Sequence, residues 1–179
     1  FTQSAGTGTT SLQELTVTGA VNIAVTTADI LLNDQVTAPA GFSSTGTVAG
    51  SDFTNSGTIT TTDTDITINH TGVTTIGAAL ESGTGDIAIG NTTNGTIELS
   101  VAAPAYVAQT VGGNITFNRP VTLTQNTLIS TGAGIGTVTF ATTAPITGNF
   151  ALGITAGTGN VEIVPTAGTP LALTSLTVS

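Results

Sequence analysis

The sequence predicts an all-β fold of the parallel β-helix (β-solenoid) type, with coils of about 21–25 residues. Gly113-Asn114-Ile115-Thr116-Phe117 recurs as Gly136-Thr137-Val138-Thr139-Phe140 and again as Gly159-Asn160-Val161-Glu162-Ile163, each step being 23 residues. Within every copy apolar and polar residues alternate, which is the period of a strand and not of a helix. Gly, Asn, Asp and Pro stand between the copies, as turns require. A hairpin repeat would use Asn-Gly or Asp-Gly turns, and Asn94-Gly95 is the single such dipeptide.

The elements follow in order. Near the start, Leu15-Thr16-Val17 and Val21-Asn22-Ile23-Ala24-Val25 read as short strands. Ala28 to Leu32 is the one helix-like stretch, and it is too short to hold a helix. Asp65-Ile66-Thr67-Ile68 and Asp86-Ile87-Ala88-Ile89 stand 21 residues apart, and Gly95-Thr96-Ile97-Glu98-Leu99 alternates in the same way. A second element, Leu128-Ile129-Ser130-Thr131-Gly132, returns 25 residues later as Gly153-Ile154-Thr155-Ala156-Gly157, so the turns absorb a residue or two per coil. Stacked coils would set Ile115, Val138 and Val161 in one core ladder and Phe117, Phe140 and Ile163 in a second, with Glu162 outside. The expected organisation is one solenoid domain over 1–179, less regular over 1–60 and regular over 61–179, with a segment of a longer array as an option. At ~4.8 Å per coil, roughly eight coils would make a rod about 37 Å long.

The two ends read alike. Leu12-Gln13-Glu14-Leu15-Thr16-Val17-Thr18 resembles Leu173-Thr174-Ser175-Leu176-Thr177-Val178-Ser179, and Ala-Gly-Thr precedes each, from Ala5 and from Ala167. Solenoids ordinarily close open strand edges with polar caps. Leu176-Thr177-Val178-Ser179 reads as an open strand, so Leu12, Leu15, Val17, Leu173, Leu176 and Val178 are the expected stacking surface between coils of neighbouring copies or repeats.

Composition removes several function classes. Ten acidic residues stand against Arg119 alone, a net charge of -9, which argues against binding a nucleic-acid backbone or an anionic membrane. The longest apolar run, Val101 to Ala108, contains Pro104 and is too short to span a bilayer. Only 6% of residues are charged, so intrinsic disorder is disfavoured. Without cysteine there is neither a disulfide framework nor a thiolate metal site. The 42 threonines and 23 glycines, with lysine absent, favour an extracellular protein, and Phe1 reads as a processed end or a boundary.

Catalytic chemistry has little to use. His70 is the single histidine and reads as solvent-facing or structural. Asp63 and Asp65 would share a face on a strand, and with Asp86 one coil later they could be weighed as glycosidase carboxylates or calcium ligands. A solvated turn fits better, because no second basic residue and no calcium-coil pattern accompanies them. Gly132-Ala133-Gly134-Ile135-Gly136 precedes a strand and not a helix, so it is a coil corner and no phosphate loop. The four sequons at Asn69, Asn91, Asn94 and Asn114 are about what chance supplies. A Thr-x-Thr ladder for ice is an alternative, with Thr122-Leu123-Thr124 and Thr137-Val138-Thr139 as its local form, but Glu162 falls in the array. No catalytic residue, cofactor or metal is expected.

The strings Gly-Asn-Ile-Thr-Phe-Asn, Ser-Thr-Gly-Ala-Gly, Thr-Ala-Gly-Thr-Gly-Asn-Val and Leu-Thr-Ser-Leu-Thr-Val resemble repeat regions of large bacterial surface adhesins of the filamentous-haemagglutinin-like and autotransporter-passenger-like kinds. The likeness is best over 112–179. It implies a secreted, right-handed β-helix that forms a stalk or adhesive fibre, with host or surface glycans as potential partners. The resulting expectation is a non-enzymatic extracellular structural and adhesive solenoid of a prokaryotic surface, stacking head to tail. The alternative is a pilus-like subunit that donates an extended N-terminal strand, Phe1 to Thr10, to its neighbour.

Overall fold

The computed structural model describes residues 1–4, 6–25, 29–90, 94–141, 145–164 and 171–179, with the backbone alone for 22–25. The chain winds as a right-handed parallel β-solenoid whose coils each lay one short strand on three sheets. Sheet A holds Thr2–Gln3, Val21–Val25, Phe42–Gly46, Ile66–Asn69, Ile87–Ile89, Ile115–Phe117, Val138–Phe140 and Val161–Ile163. Sheet B holds Thr10–Leu12, Ile30–Leu32, Phe53–Asn55, Val73–Ile76, Thr96–Leu99, Val121–Leu123 and Ile146–Thr147. Sheet C holds Leu15–Thr16, Val36–Thr37, Ile59–Thr60, Leu80–Glu81, Tyr106–Gln109, Thr127–Ser130, Ala151–Thr155 and Ser175–Val178. Seven coils are complete, and an eighth adds strands to sheets A and C. The stretch read as helix-like ends in the sheet B strand Ile30–Leu32; Ala28 lies outside the described residues.

Every described pairing is parallel and joins a coil to the next, so equivalent residues stack in columns. In sheet A the partners Val21, Phe42, Ile66, Ile87, Ile115, Val138 and Val161 follow one another. The numbers give coils of 21, 24, 21, 28, 23 and 23 residues. The widest departure is thus coil 5, between Ile87 and Ile115. Strands this short cannot stand alone, but all except the first and last of each sheet are hydrogen-bonded on both edges, and the inner strands bury the side chains that face the core.

The interior is a single apolar stack. Four phenylalanines (Phe42, Phe53, Phe117 and Phe140) lie in it with the isoleucines and leucines of all three sheets, nearly all at 0–2% exposure. Each such side chain stabilises the fold by about 1.5–3 kcal/mol relative to exposure. Phe117 and Phe140 stack with ring centroids 4.7 Å apart and planes at 13°.

The corner from sheet C back to sheet A repeats one device. A buried hydroxyl closes the turn by donating to a carbonyl of the same corner: Ser82 to Gly85 at 2.6 Å, Thr110 to Gly113 at 2.6 Å and Thr131 to Gly136 at 3.1 Å. The glycine that follows lies against the coil before it. A Cβ at Gly113 would come 2.1 Å from the Gly85 carbonyl oxygen, and one at Gly136 would come 2.2 Å from that of Gly113. Glycine is required there because backbone crosses backbone.

Candidate functional site

The carboxylates singled out from the sequence belong to the corners. Asp63 and Asp65 do not lie on a strand; they sit in the turn before Ile66, and Asp63 takes a left-handed φ of 54°. The shared strand face expected for them is therefore corrected. Asp65 Oδ1 accepts the Asp86 N–H at 2.9 Å, and Asp86 Oδ1 accepts the Asn114 N–H at 2.7 Å. Asn114 Oδ1 in turn accepts the Thr137 N–H at 2.9 Å. Asp63 Oδ1 takes the N–H and the hydroxyl of Thr84. At the corner from A to B, Asp29 accepts from Asp52 N–H at 3.0 Å and Asp52 from Val73 N–H at 2.6 Å. These are caps: an Asp or Asn side chain of one coil satisfies a backbone donor of the next, charge-assisted where the acceptor is a carboxylate, and ties neighbours in register. No cluster of three or more metal-ligating side chains occurs among the described residues.

His70 is buried, at 1% exposure. Ser44 Oγ lies 2.9 Å from Nε2 and Ser51 Oγ 3.0 Å from Nδ1, and the Phe53 ring packs on it with centroids 5.4 Å apart. Burial pulls its pKa from the usual 6.5 down to about 4, against smaller upward pulls from a Ser51 backbone hydrogen bond and from the Asp29 charge. Both serines are buried too, at 0% and 3% exposure. A neutral imidazole held between two hydroxyls is a satisfied polar insert in the core.

The described edges of the stack differ. At one, Leu12, Leu15 and Val17 are half-buried against the core. At the other, Val161, Ile163 and Leu173 are half-buried, and Leu176 and Val178 are 43% and 53% exposed. The likeness between the two ends is displaced from the structural register. Column by column, Leu15 leads through Val36, Ile59, Leu80, Ala108, Ile129 and Ile154 to Val178. Leu176 instead pairs with Leu152, so the match of Leu15 to Leu176 is two residues out. A shift of two keeps every side chain on its own face, and the alternating pattern cannot detect it. The Ala-Gly-Thr runs that precede both segments begin at Ala5 and Ala167, outside the described residues.

The predicted core residues fall as follows. Ile115, Val138 and Val161 share one column, and Phe117, Phe140 and Ile163 share the next inward one. The first two of each set are fully buried, while Val161 and Ile163, on the last sheet A strand, are half-buried. The outward columns hold no double rank of threonine among the described residues. Sheet A places Thr67, Ala88, Thr116, Thr139 and Glu162 in line, and sheet B places Thr54, Thr75, Glu98, Thr122 and Thr147 in line. Ala88 interrupts the first, which ends on Glu162, and Glu98 interrupts the second. Of the expected donor segment, Phe1 to Thr10, Thr2–Gln3 pairs with Val21–Val25 and Thr10 with Ile30, inside their own chain.

Comparison with protein-family models, with curated proteins and with solved structures finds no match for this chain. The β-solenoid therefore rests on the strand topology itself, and the likeness to large bacterial adhesins is one of sequence pattern.

Sequence reading missed the cap ladder and the corner hydroxyls. Their signal is present: Ser82-Gly83-Thr84-Gly85-Asp86 and Thr110-Val111-Gly112-Gly113-Asn114 share a hydroxyl, then Gly-Asx three residues on. Ala156-Gly157-Thr158-Gly159-Asn160 varies only the first position.

Proposed function

We propose that this chain is a non-enzymatic, extracellular structural and adhesive β-solenoid of a prokaryotic surface. The observation that carries the reading is the coil-on-coil stacking of three parallel sheets, in register but for one bulge at Val107. Such a stack resists bending because each coil is held by its backbone ladders, by one continuous core and by side-chain caps on the next coil's N–H groups. Ser175–Val178 contains no charge and no proline, and the outer edge of that strand has no partner among the described residues. Edges of that kind accept further strands, from more coils of the same chain or from a second copy. A second copy added head to tail does not close on itself and yields filaments.

The non-enzymatic part draws support from the one histidine, which sits with both neighbouring serines where a substrate does not reach. The extracellular part draws support from a lysine-free, cysteine-free, threonine-rich composition. Negative-stain electron microscopy of the purified 179-residue chain, across a concentration series, tests the reading. Uniform filaments that lengthen with concentration, or rods of constant width, are expected. Round particles without a long axis would refute it.

A further inference from the structure

Coil 5 carries the largest share of extra chain, and part of it reshapes one outer surface. From Leu99 in sheet B to Ala108 in sheet C the chain spends nine residues, whereas Ile76 to Leu80 in the coil below takes four. Ala102 to Ala105 stand exposed there, and the Ala103 N–H donates to the Asn126 carbonyl at 2.9 Å, fastening the loop to coil 6. Where this chain enters sheet C, the pairing with Leu128 and Ile129 skips a residue between Tyr106 and Ala108. The bulge buries both Val107 and Ala108 and directs Tyr106, the only tyrosine, into the outward column.

That column runs Tyr106, Leu128, Gly153 and Thr177. Gly153 leaves a gap in it. A Cβ there would lie 2.6 Å from Leu128 Cδ2, so the leucine lies over the glycine and makes an apolar floor. The result is an open groove of about 410 Å³, with Tyr106 and Ala103 at one end and Ser175 and Thr177 at the other. A second groove of about 650 Å³, with Ala103 and Asn126 in its lining too, adjoins it round the corner beside Gln125, Thr124 and Phe150. Neither lining contains a charged side chain, in a chain with ten acidic ones.

We infer that these adjoining grooves bind a neutral oligosaccharide, which deepens the adhesive part of the function proposed above. An aromatic ring beside an apolar floor suits the C–H face of a pyranose, and carboxamides and hydroxyls suit its hydroxyl groups. Asn126 uses Oδ1 for the Ala151 N–H, and its Nδ2 takes no part in that bond. Gln125 donates Nε2 to the Ser100 carbonyl, which leaves Oε1 outside that bond. No Lys or Arg lines either groove to pair with a sialylated or sulfated ligand. From coil 5 to coil 8 the floor spans three inter-coil steps, about 14 Å, longer than one sugar ring needs. An extended peptide is disfavoured over most of the floor, because Tyr106–Gln109, Thr127–Ser130 and Ala151–Thr155 are already paired on both sides; the one open backbone edge is at its far end, on Ser175–Val178.

Saturation-transfer NMR and titration calorimetry on the full chain test this, with neutral trisaccharides of glucose, galactose or N-acetylglucosamine as probes and sialyl and sulfated trisaccharides as charged comparisons. Expected are transfer to a neutral trisaccharide, an affinity indifferent to salt, and about a tenfold loss in Tyr106→Ala, the scale of a lost aromatic contact, with Tyr106→Phe close to wild type. Gly153→Val, which fills the floor, should also weaken binding. If that variant misfolds, the Ala and Phe pair still decides. No transfer from any neutral probe, equal binding by Tyr106→Ala, or preference for a charged probe would overturn the inference. Rods that bind no sugar would sink this inference alone, and a sugar-binding chain without rods would sink the structural reading alone.

Discussion

Coils 3–4 and coils 6–7 fill the same interior with different chemistry. In coils 6 and 7 the second inward column of sheet A holds Phe117 and Phe140, stacked face to face and fully buried. In coil 3 that column holds Ser44, followed in coil 4 by Ile68, and the volume is filled by His70 from the corner between sheets A and B. Phe53 packs the imidazole, and Asn55 in sheet B points inward and donates to the Gly57 and Ala78 carbonyls. The backbone ladders run through both regions unchanged. A parallel solenoid thus tolerates a polar interior wherever each buried group finds a partner, and the two interiors should respond differently to mutation and to pH.

The largest expected effect breaks the aromatic side. Phe140→Ala removes a fully buried ring and its stacking partner, and should cost about 3–5 kcal/mol in denaturant unfolding, since the ladders on either side hold the cavity open. A cost below about 1 kcal/mol would mean that the coils collapse onto the gap, and the picture of a rigid stack would fail.

The next effect sharpens the polar side. His70 has a folded-state pKa of about 4 against an unfolded value of 6.5. Its contribution is complete above pH 6.5 and is lost as the pH falls toward 4, because the unfolded chain takes up the proton first. Across that window the stability should drop by about 3 kcal/mol from this group. His70→Gln should flatten the slope, and the difference between the two proteins separates the histidine from the carboxylates. Equal slopes would show that the imidazole is not buried as described. Phe140→Ala should keep the wild-type slope, because no titratable group lies in the phenylalanine stack.

The smallest effect concerns the corner that joins the two regions. Asp86→Ala removes the acceptor for the Asn114 N–H, which a side-chain amide bond at 3.2 Å supplements. A loss of about 1 kcal/mol is expected, as for other exposed caps, and Asp86→Asn should recover most of it. If Asn does no better than Ala, the ladder of Asp and Asn side chains contributes charge and not hydrogen bonding.

Much of this was legible in the residues. The 23-residue recurrence and the alternation determined which side chains face inward, because strand geometry leaves only two faces. That is why Ile115 with Val138 and Phe117 with Phe140 could be paired from the sequence, and why Glu162 was placed outside. Alternation has no memory of absolute register, however, so Leu176 was matched to Leu15 where the ladder sets Val178. Composition likewise showed a histidine without catalytic company, but not its burial between Ser44 and Ser51, which lie 26 and 19 residues away in the chain. The carboxylates read as turn residues, and their work as acceptors for the following coil appears only when coils stack. The same holds for Tyr106: a one-residue bulge decides which face it takes, and the bulge exists only against the strand beneath. Sequence determined the period, the faces and the corner chemistry, which are local. Tertiary structure decided register, partners and the shape of the outer surface, because these depend on residues a full coil or more apart.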